Sequence, residues 1–234
     1  MKQVVLDTET TGLDVNDGHR IIEIGGVEII GRRLTNRRFH KYINPDRDID
    51  DGAFQVHGIS RDFLRDKPVF ADIWQEFLEF ISGAELIMHN ALFDERFINQ
   101  EMTYISTVSG ELSDHCQILD SLEIAREKHP GQKNNLDALC KRYSVDNAHR
   151  DLHGALLDAE LLAEVYLLMT GGQGSLSLSE TIHPEKVSEE RVLKRERSPL
   201  KVISASVEEI ERHEAKLEQL ELNSTNGCVW KSLD

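Results

Sequence analysis

The spacing of apolar positions changes along the chain, and each change marks an element. Val4-Val5-Leu6 is a short apolar run that passes into Asp7-Thr8-Glu9-Thr10-Thr11-Gly12, which reads as a buried strand ending on polar residues and a glycine that turns the chain away. Residues 21–30 and 38–43 read as two more strands joined around Gly31-Arg32-Arg33, and connections this short make the three an antiparallel meander closed by Asn44-Pro45-Asp46. Val56-His57-Gly58-Ile59 then leads to Ser60, a helix cap. Apolar residues at 70, 73, 74, 77, 78 and 81 keep helical spacing until Ser82-Gly83 stops them. Residues 85–88 form a short buried strand that runs through His89-Asn90 into a helix containing Ala91, Phe93, Asp94, Phe97 and Ile98. Residues 116–119 read as a further strand and 136–143 as a helix. Residues 153–169 read as the longest helix, with Leu156, Leu157, Leu161, Leu162, Val165 and Leu168 as its core stripe. A meander followed by alternating helices and short strands predicts an α/β domain over residues 1–170, its mixed sheet flanked by helices.

Periodicity stops at Gly171-Gly172. Residues 171–205 are filled with Gly, Ser, Pro and mixed charge, the composition of a flexible linker. Ser206-Val207-Glu208-Glu209 is a capping-box pattern that opens residues 206–234, where Val207, Ile210, Leu217 and Leu220 space out one apolar helix face. A lone amphipathic helix has nothing of its own to pack on, which predicts a partner protein.

Charge and cysteines narrow the class. With 42 acidic against 27 basic side chains the formal net charge is −15, an argument against tight unaided binding to nucleic acid. Acids that bind a cation escape that argument, because the cation restores positive charge where a phosphate would sit. Cys116, Cys140 and Cys228 are odd in number and form no Cys-x-x-Cys pair, so neither a disulfide framework nor a zinc site is expected. The three apolar residues before Asp7 are too few for a signal peptide, and residues 156–169 are broken by Asp158, Glu160 and Glu164. A reducing, cytoplasmic location is the expectation.

The chemistry lies in the acids. On a strand Asp7 and Glu9 project from one face about 6.6 Å apart, and like charges so close repel unless a cation lies between them; oxygen ligands of this kind suit magnesium or manganese. Asp94 lies four residues after Asn90 in the first turn of a helix. Asp158 interrupts the last apolar stripe, where an acid is costly unless paired or metal-bound, and His153 stands five residues before it, at the expected helix start. Taken singly, each has an ordinary explanation: Asp94 suits a helix dipole, Asp158 could face solvent, and a lone histidine is commonly structural. Together they require several coincidences.

Asp7-x-Glu9 in a first strand, Asn90 and Asp94 in a second block and His153-x-x-x-x-Asp158 in a third resemble the three motifs of the DEDDh exonucleases, within the RNase H-like fold. More closely, Val-Leu-Asp-Thr-Glu-Thr-Thr-Gly, Ile-Ile-Glu-Ile-Gly, Val-His-Gly-Ile and the tail are similar to the proofreading epsilon subunits of bacterial DNA polymerase III. The resemblance spans essentially the whole chain. It implies that Asp7, Glu9, Asp94 and Asp158 hold two divalent cations, Mg2+ or Mn2+, and that His153 is the general base for releasing a deoxynucleoside monophosphate from a 3′ end. It places Asp7, Glu9, Thr10, His57, Asn90 and Asp158 against the substrate; where the family carries a further carboxylate, this chain has Gly52, a departure from the pattern. A histidine at 153 sets the chain apart from the branch with tyrosine there. Gln173, Leu176 and Leu178 resemble the peptide that binds the beta sliding clamp. Residues 206–234, with Ile210, Leu217, Leu220 and Trp230 as anchors, resemble the segment that docks on the polymerase alpha subunit. Some members of the family also bind a small theta-type accessory subunit. A tether of this kind answers the charge problem, since effective concentration delivers an acidic enzyme to DNA.

Overall fold

The opening apolar run becomes β1 (Lys2–Thr10), the central strand of a five-stranded sheet, in a computed structural model that describes residues 1–148, 150, 152–171, 205–223 and 230. β2 (Ile21–Ile30) and β3 (Arg33–Tyr42) follow as the antiparallel meander. β4 (Glu85–Met88) and β5 (Gln117–Asp120) join in parallel on the other side of β1, giving the order β3-β2-β1-β4-β5 and the mixed sheet expected from the pattern. β3 begins at Arg33 rather than at 38: its first half is a largely exposed edge, which needs no apolar alternation.

Around the sheet lie α1 (Asp51–His57), α2 (Arg61–Leu64), α3 (Phe70–Ile81), α4 (Ala91–Thr103), α5 (Ser121–Lys128), α6 (Leu136–Tyr143) and α7 (Ala155–Thr170). Ser60 caps α2, its Oγ accepting from Phe63 N at 3.2 Å. α5 was not expected, because it buries only Ser121 and Ala125 and so shows no stripe. Two readings of the last helix are corrected. α7 starts at Ala155, so His153 stands in the loop before it, and Leu168 is exposed while Ala163, Tyr166 and Met169 are buried. The reason is two-sided packing: Leu162, Ala163 and Tyr166 meet Val5, Val27 and Ile87 of the sheet, while Leu161, Val165 and Met169 meet Leu139 and Cys140 of α6.

Strand alternation decides which layer each β1 residue serves. Val4 and Leu6 pack with Phe77 of α3 and Phe97 of α4, whereas Val5 packs with Leu162 of α7. Gln3, of the same parity as Val5, donates its amide to the Tyr166 hydroxyl at 3.1 Å. Two residues of strand advance about 6.6 Å and four residues of helix about 6.0 Å, so the two ladders stay in step. Tyr166 meets Gln3, Leu162 meets Val5, and the next rung sets Asp158 against Asp7 and Glu9.

The sheet makes room for that rung at β2. Gly25 lies opposite Asp7 in the register, and a Cβ there would lie 2.1 Å from Leu156 N and 2.2 Å from the Ala155 carbonyl carbon. The first turn of α7 therefore rests directly on the bare backbone. Glu23, opposite Glu9, is buried and accepts from Ala155 N at 3.2 Å, with His40 Nε2 2.7 Å from its other oxygen. At Gly12 the demand is also for space rather than for a turn, since a Cβ would lie 2.2 Å from the His19 ring.

The chain divides into two compact units, residues 1–176 and 177–234. In the second, α8 (Val207–Asn223) opens on the expected capping box: Ser206 N donates to the Glu209 carboxylate at 2.8 Å, and Glu209 N donates to Ser206 Oγ at 3.3 Å. α8 buries none of its residues: Ile210 and Leu220 are exposed, Leu217 is half-buried, and Trp230 beyond the helix is also exposed. Gln173, Leu176 and Leu178 lie outside the described residues. Among the described residues no helix is long and apolar enough to cross a membrane.

Candidate active site

Four elements converge on one cleft of about 250 Å³, lined among others by Asp7, Glu9, Asn90, Asp94, His153 and Asp158. β1 delivers Asp7 and Glu9 on the face turned to α7, just before a register shift at Glu9/Thr10. Asn90, two residues past β4 and immediately before α4, lies in the left-handed region, φ 71°, a conformation that asparagine tolerates better than most residues. Its N–H donates to the Asp120 carboxylate at 3.0 Å, and His89 is held between Ser121 Oγ at 3.0 Å and the Asn134 carbonyl at 2.8 Å. This junction aims the first turn of α4 at β1, where Thr8 Oγ1 donates to Asp94 at 2.6 Å.

Glu9, Asp94 and Asp158 are buried, 8%, 3% and 3% exposed, which no set of neighbouring carboxylates tolerates fully charged. Burial first, then repulsion from Asp94, Glu9 and Asp158, holds Asp7 well above the usual carboxylate range. Burial first, then Asp158, Glu23 and Asp94, pushes Glu9 up to about 8. Burial raises Asp94 to about 7 against the opposing Thr8 hydrogen bond. An all-oxygen donor set that repels itself and cannot stay charged alone is one that hard divalent cations fit. Glu9, His153 and Asp158 each offer a ligand atom, all within 4.8 Å of one another. Asp7 and Asp94 stand outside that tight trio while lining the same cleft.

His153 is 44% exposed at its side chain and stands with Nδ1 3.4 Å from Asp158, its backbone N–H donating to the Val56 carbonyl at 3.1 Å. Arg150 belongs to no periodic element, so nothing in the sequence sets it apart. Its Nε and Nη2 donate to the two Asp158 oxygens at 2.5 and 2.7 Å, and it also pairs with Asp137 of α6. Burial opposes the guanidinium charge, but the bonds and attraction to Asp158 and Asp137 more than offset it and raise the Arg150 pKa.

Thr10 and His57 fall in a neighbouring cavity of about 560 Å³, which shares Thr8, Glu9 and Phe93 with the cleft and is lined also by Gly52. Thr10 Oγ1 donates to the Gly12 carbonyl at 2.6 Å. His57 Nδ1 accepts from Ile59 N at 2.9 Å, its Nε2 is buried without a hydrogen-bond partner, and burial lowers its pKa.

Residues 4–166 match the exonuclease family. The DNA polymerase III subunit epsilon of Salmonella typhimurium is 48% identical over 238 residues, covering 99% of this chain and 98% of the relative. That of Escherichia coli K12 is 47% identical over 238 residues with the same coverage, and that of Rickettsia felis 45% over 222 residues, 94% of this chain and 97% of the relative. Among solved structures, exonuclease X in complex with 5′-overhanging duplex DNA superposes with a TM-score of 0.55 at 27% identity, over 72% of this chain and 91% of that one. An E. coli ExoI–ssDNA complex shares the fold, with a TM-score of 0.61 at 16% identity over 74% of this chain and 41% of that one.

Proposed function

The chain belongs to the exonuclease family and, within it, to the DNA polymerase III epsilon subunits, the 3′–5′ proofreading exonucleases, and from that membership we propose how its own residues work. It acts in a polymerase complex on DNA, removing mismatched 3′-terminal deoxynucleotides as monophosphates. Asp7, Glu9, Asp94 and Asp158 would hold two divalent cations, Mg2+ or Mn2+, which supply the positive charge that the scissile phosphate and the attacking and leaving oxygens of an in-line displacement require. His153, at the mouth of the cleft, takes the proton of the attacking water, and Asp158, 3.4 Å from its Nδ1, offers the protonated ring an acceptor. The terminal nucleoside occupies the second cavity, which Thr10 and His57 line; Asn90, on the rim of the first, faces the phosphate side.

The remaining assignments concern partners. Ile210, Leu217, Leu220 and Trp230 dock on the polymerase alpha subunit, Gln173, Leu176 and Leu178 on the beta clamp, and a theta-type subunit on the catalytic domain, all in the cytoplasm. In favour of the first is an amphipathic helix that buries none of its own residues.

One observation carries the reading: four acids from β1, α4 and α7 line a single cleft with a histidine at its mouth. The test is a 5′-labelled DNA primer with a mismatched 3′ end, with Mg2+ or EDTA, using wild type and His153→Ala. Stepwise 3′ shortening is expected only with the cation, and about 10²–10⁴-fold slower in the variant. A variant as fast as wild type would remove His153 from the reaction, and shortening of RNA but not DNA would overturn the substrate.

A further inference from the structure

The acid cluster contains a positive charge of its own. The Arg150 side chain is 6% exposed although it belongs to no helix or strand, and it grips Asp158 through both carboxylate oxygens, at 2.5 and 2.7 Å. The same Nη2 stands 3.0 Å from His153 Nδ1. A guanidinium only donates, so the histidine nitrogen facing it must be the acceptor, and the neutral ring then carries its proton on Nε2. A ring in that state has no free lone pair with which to take a proton from water. Both Asp158 oxygens are likewise committed, and they are the oxygens a divalent cation needs. One side chain thus occupies an acid and the base together. The planar fork that allows it is particular to arginine.

We propose that Arg150 is an internal counter-cation that competes with a divalent cation for Asp158 and must leave Asp158 and His153 before the cation can bind there. The inference rests on the cation-binding reading given above. Arg150 has a place to withdraw to: Asp137, its other partner, is 56% exposed and lies on the rim of the cleft.

The experiment is calorimetric titration of the full-length chain with Mn2+, in wild type, Arg150→Gln and Arg150→Lys, with thermal melts in EDTA and in Mn2+. Arg150→Gln is expected to bind Mn2+ about tenfold more tightly, and to melt lower than wild type in EDTA while regaining most of the difference in Mn2+. Arg150→Lys keeps one charge and loses the fork, so its affinity falls between the two; should Arg150→Gln fail to fold in EDTA, a tightening in Arg150→Lys carries the test. A side chain that merely props the loop would weaken Mn2+ binding when replaced, and unchanged or weaker binding overturns the proposal. A wild type that binds no Mn2+ at all is a different result, and overturns the cation-binding reading itself.

Discussion

Replacing Gly25 with alanine tests whether the site is built by the close approach of α7 to β2. The new Cβ would lie 2.1 Å from Leu156 N, against an ordinary contact of 3.4 Å or more, so helix backbone must retreat by about 1.3 Å. That backbone starts the helix carrying Asp158 and directly follows the loop carrying His153, and it cannot yield as a side-chain tip can. Overpacking of this kind costs about 1–3 kcal/mol. A loss of about 2 kcal/mol lowers the melting temperature of a chain this size by about 4–8 °C. A misplacement of about 1 Å at reacting groups costs up to about 100-fold in rate. Gly26→Ala is the internal control. Its Cβ points to the other face, where the one tight neighbour is the Phe80 ring edge at 3.0 Å, which can shift, and the Val5 carbonyl oxygen at 3.6 Å and Leu6 Cδ1 at 3.8 Å are ordinary contacts. It should cost about 1 kcal/mol or less and leave exonuclease activity near wild type. The assay pairs thermal melts with 3′ shortening of a labelled primer in saturating Mg2+. Gly25→Ala with wild-type activity per folded molecule would refute the reasoning, because α7 would then not need that contact to present Asp158.

Two further outcomes follow from the electrostatics. Burial raises Glu9 and Asp94 to about 8 and about 7, above unfolded values of about 4.3 and 3.9, so the folded state binds more protons between those limits. Denaturant melts in EDTA should therefore show stability falling as pH rises from about 5 through about 8, with Mg2+ flattening the slope; a flat or rising profile in EDTA would contradict the burial of these acids. Glu101, buried in α4, accepts a two-pronged pair from Arg20 at 2.7 and 2.6 Å and a third bond from Ile21 N at 3.1 Å. Since Arg20 is partly exposed, Glu101→Ala should cost about 3 kcal/mol, the lower end for a broken buried pair, and a melting temperature within a degree of wild type would show that the pair contributes little.

The sequence disclosed elements that bury one face. α3 and α6 alternate core and solvent at helical spacing, and their observed bounds match the pattern. α5 escaped because only Ser121 and Ala125 are buried; the Asp120 side chain accepting from Leu122 N at 2.8 Å was the available signal. α7 was read as one-sided because a helix covered by a sheet and a second helix has no polar face to set its phase. The same limit applies at the site. Asp7, Glu9, Asp94 and Asp158 stand out because acids next to apolar runs are unusual, and the fold brings all four to one cleft. Arg150, Asp137 and Glu23 do not stand out, since charged residues in loops, first turns and strands are common; only the distances reveal what they hold. Gly25 is legible as a glycine, but the helix that needs it is 130 residues further along the chain.

The central claim is that the acid cluster begun by Asp7 is the exonuclease centre, and one measurement bears on it most directly: the rate of 3′ shortening of a mismatched primer in saturating Mg2+ by Asp7→Ala, with folding verified by its melting curve. Loss of a carboxylate from the proposed cation-binding set should lower the rate by about 10²–10³-fold, the scale of removing one preorganised electrostatic contact at a reacting centre. A folded Asp7→Ala that shortens the primer at the wild-type rate would contradict the account, and would place the chemistry somewhere other than this cleft.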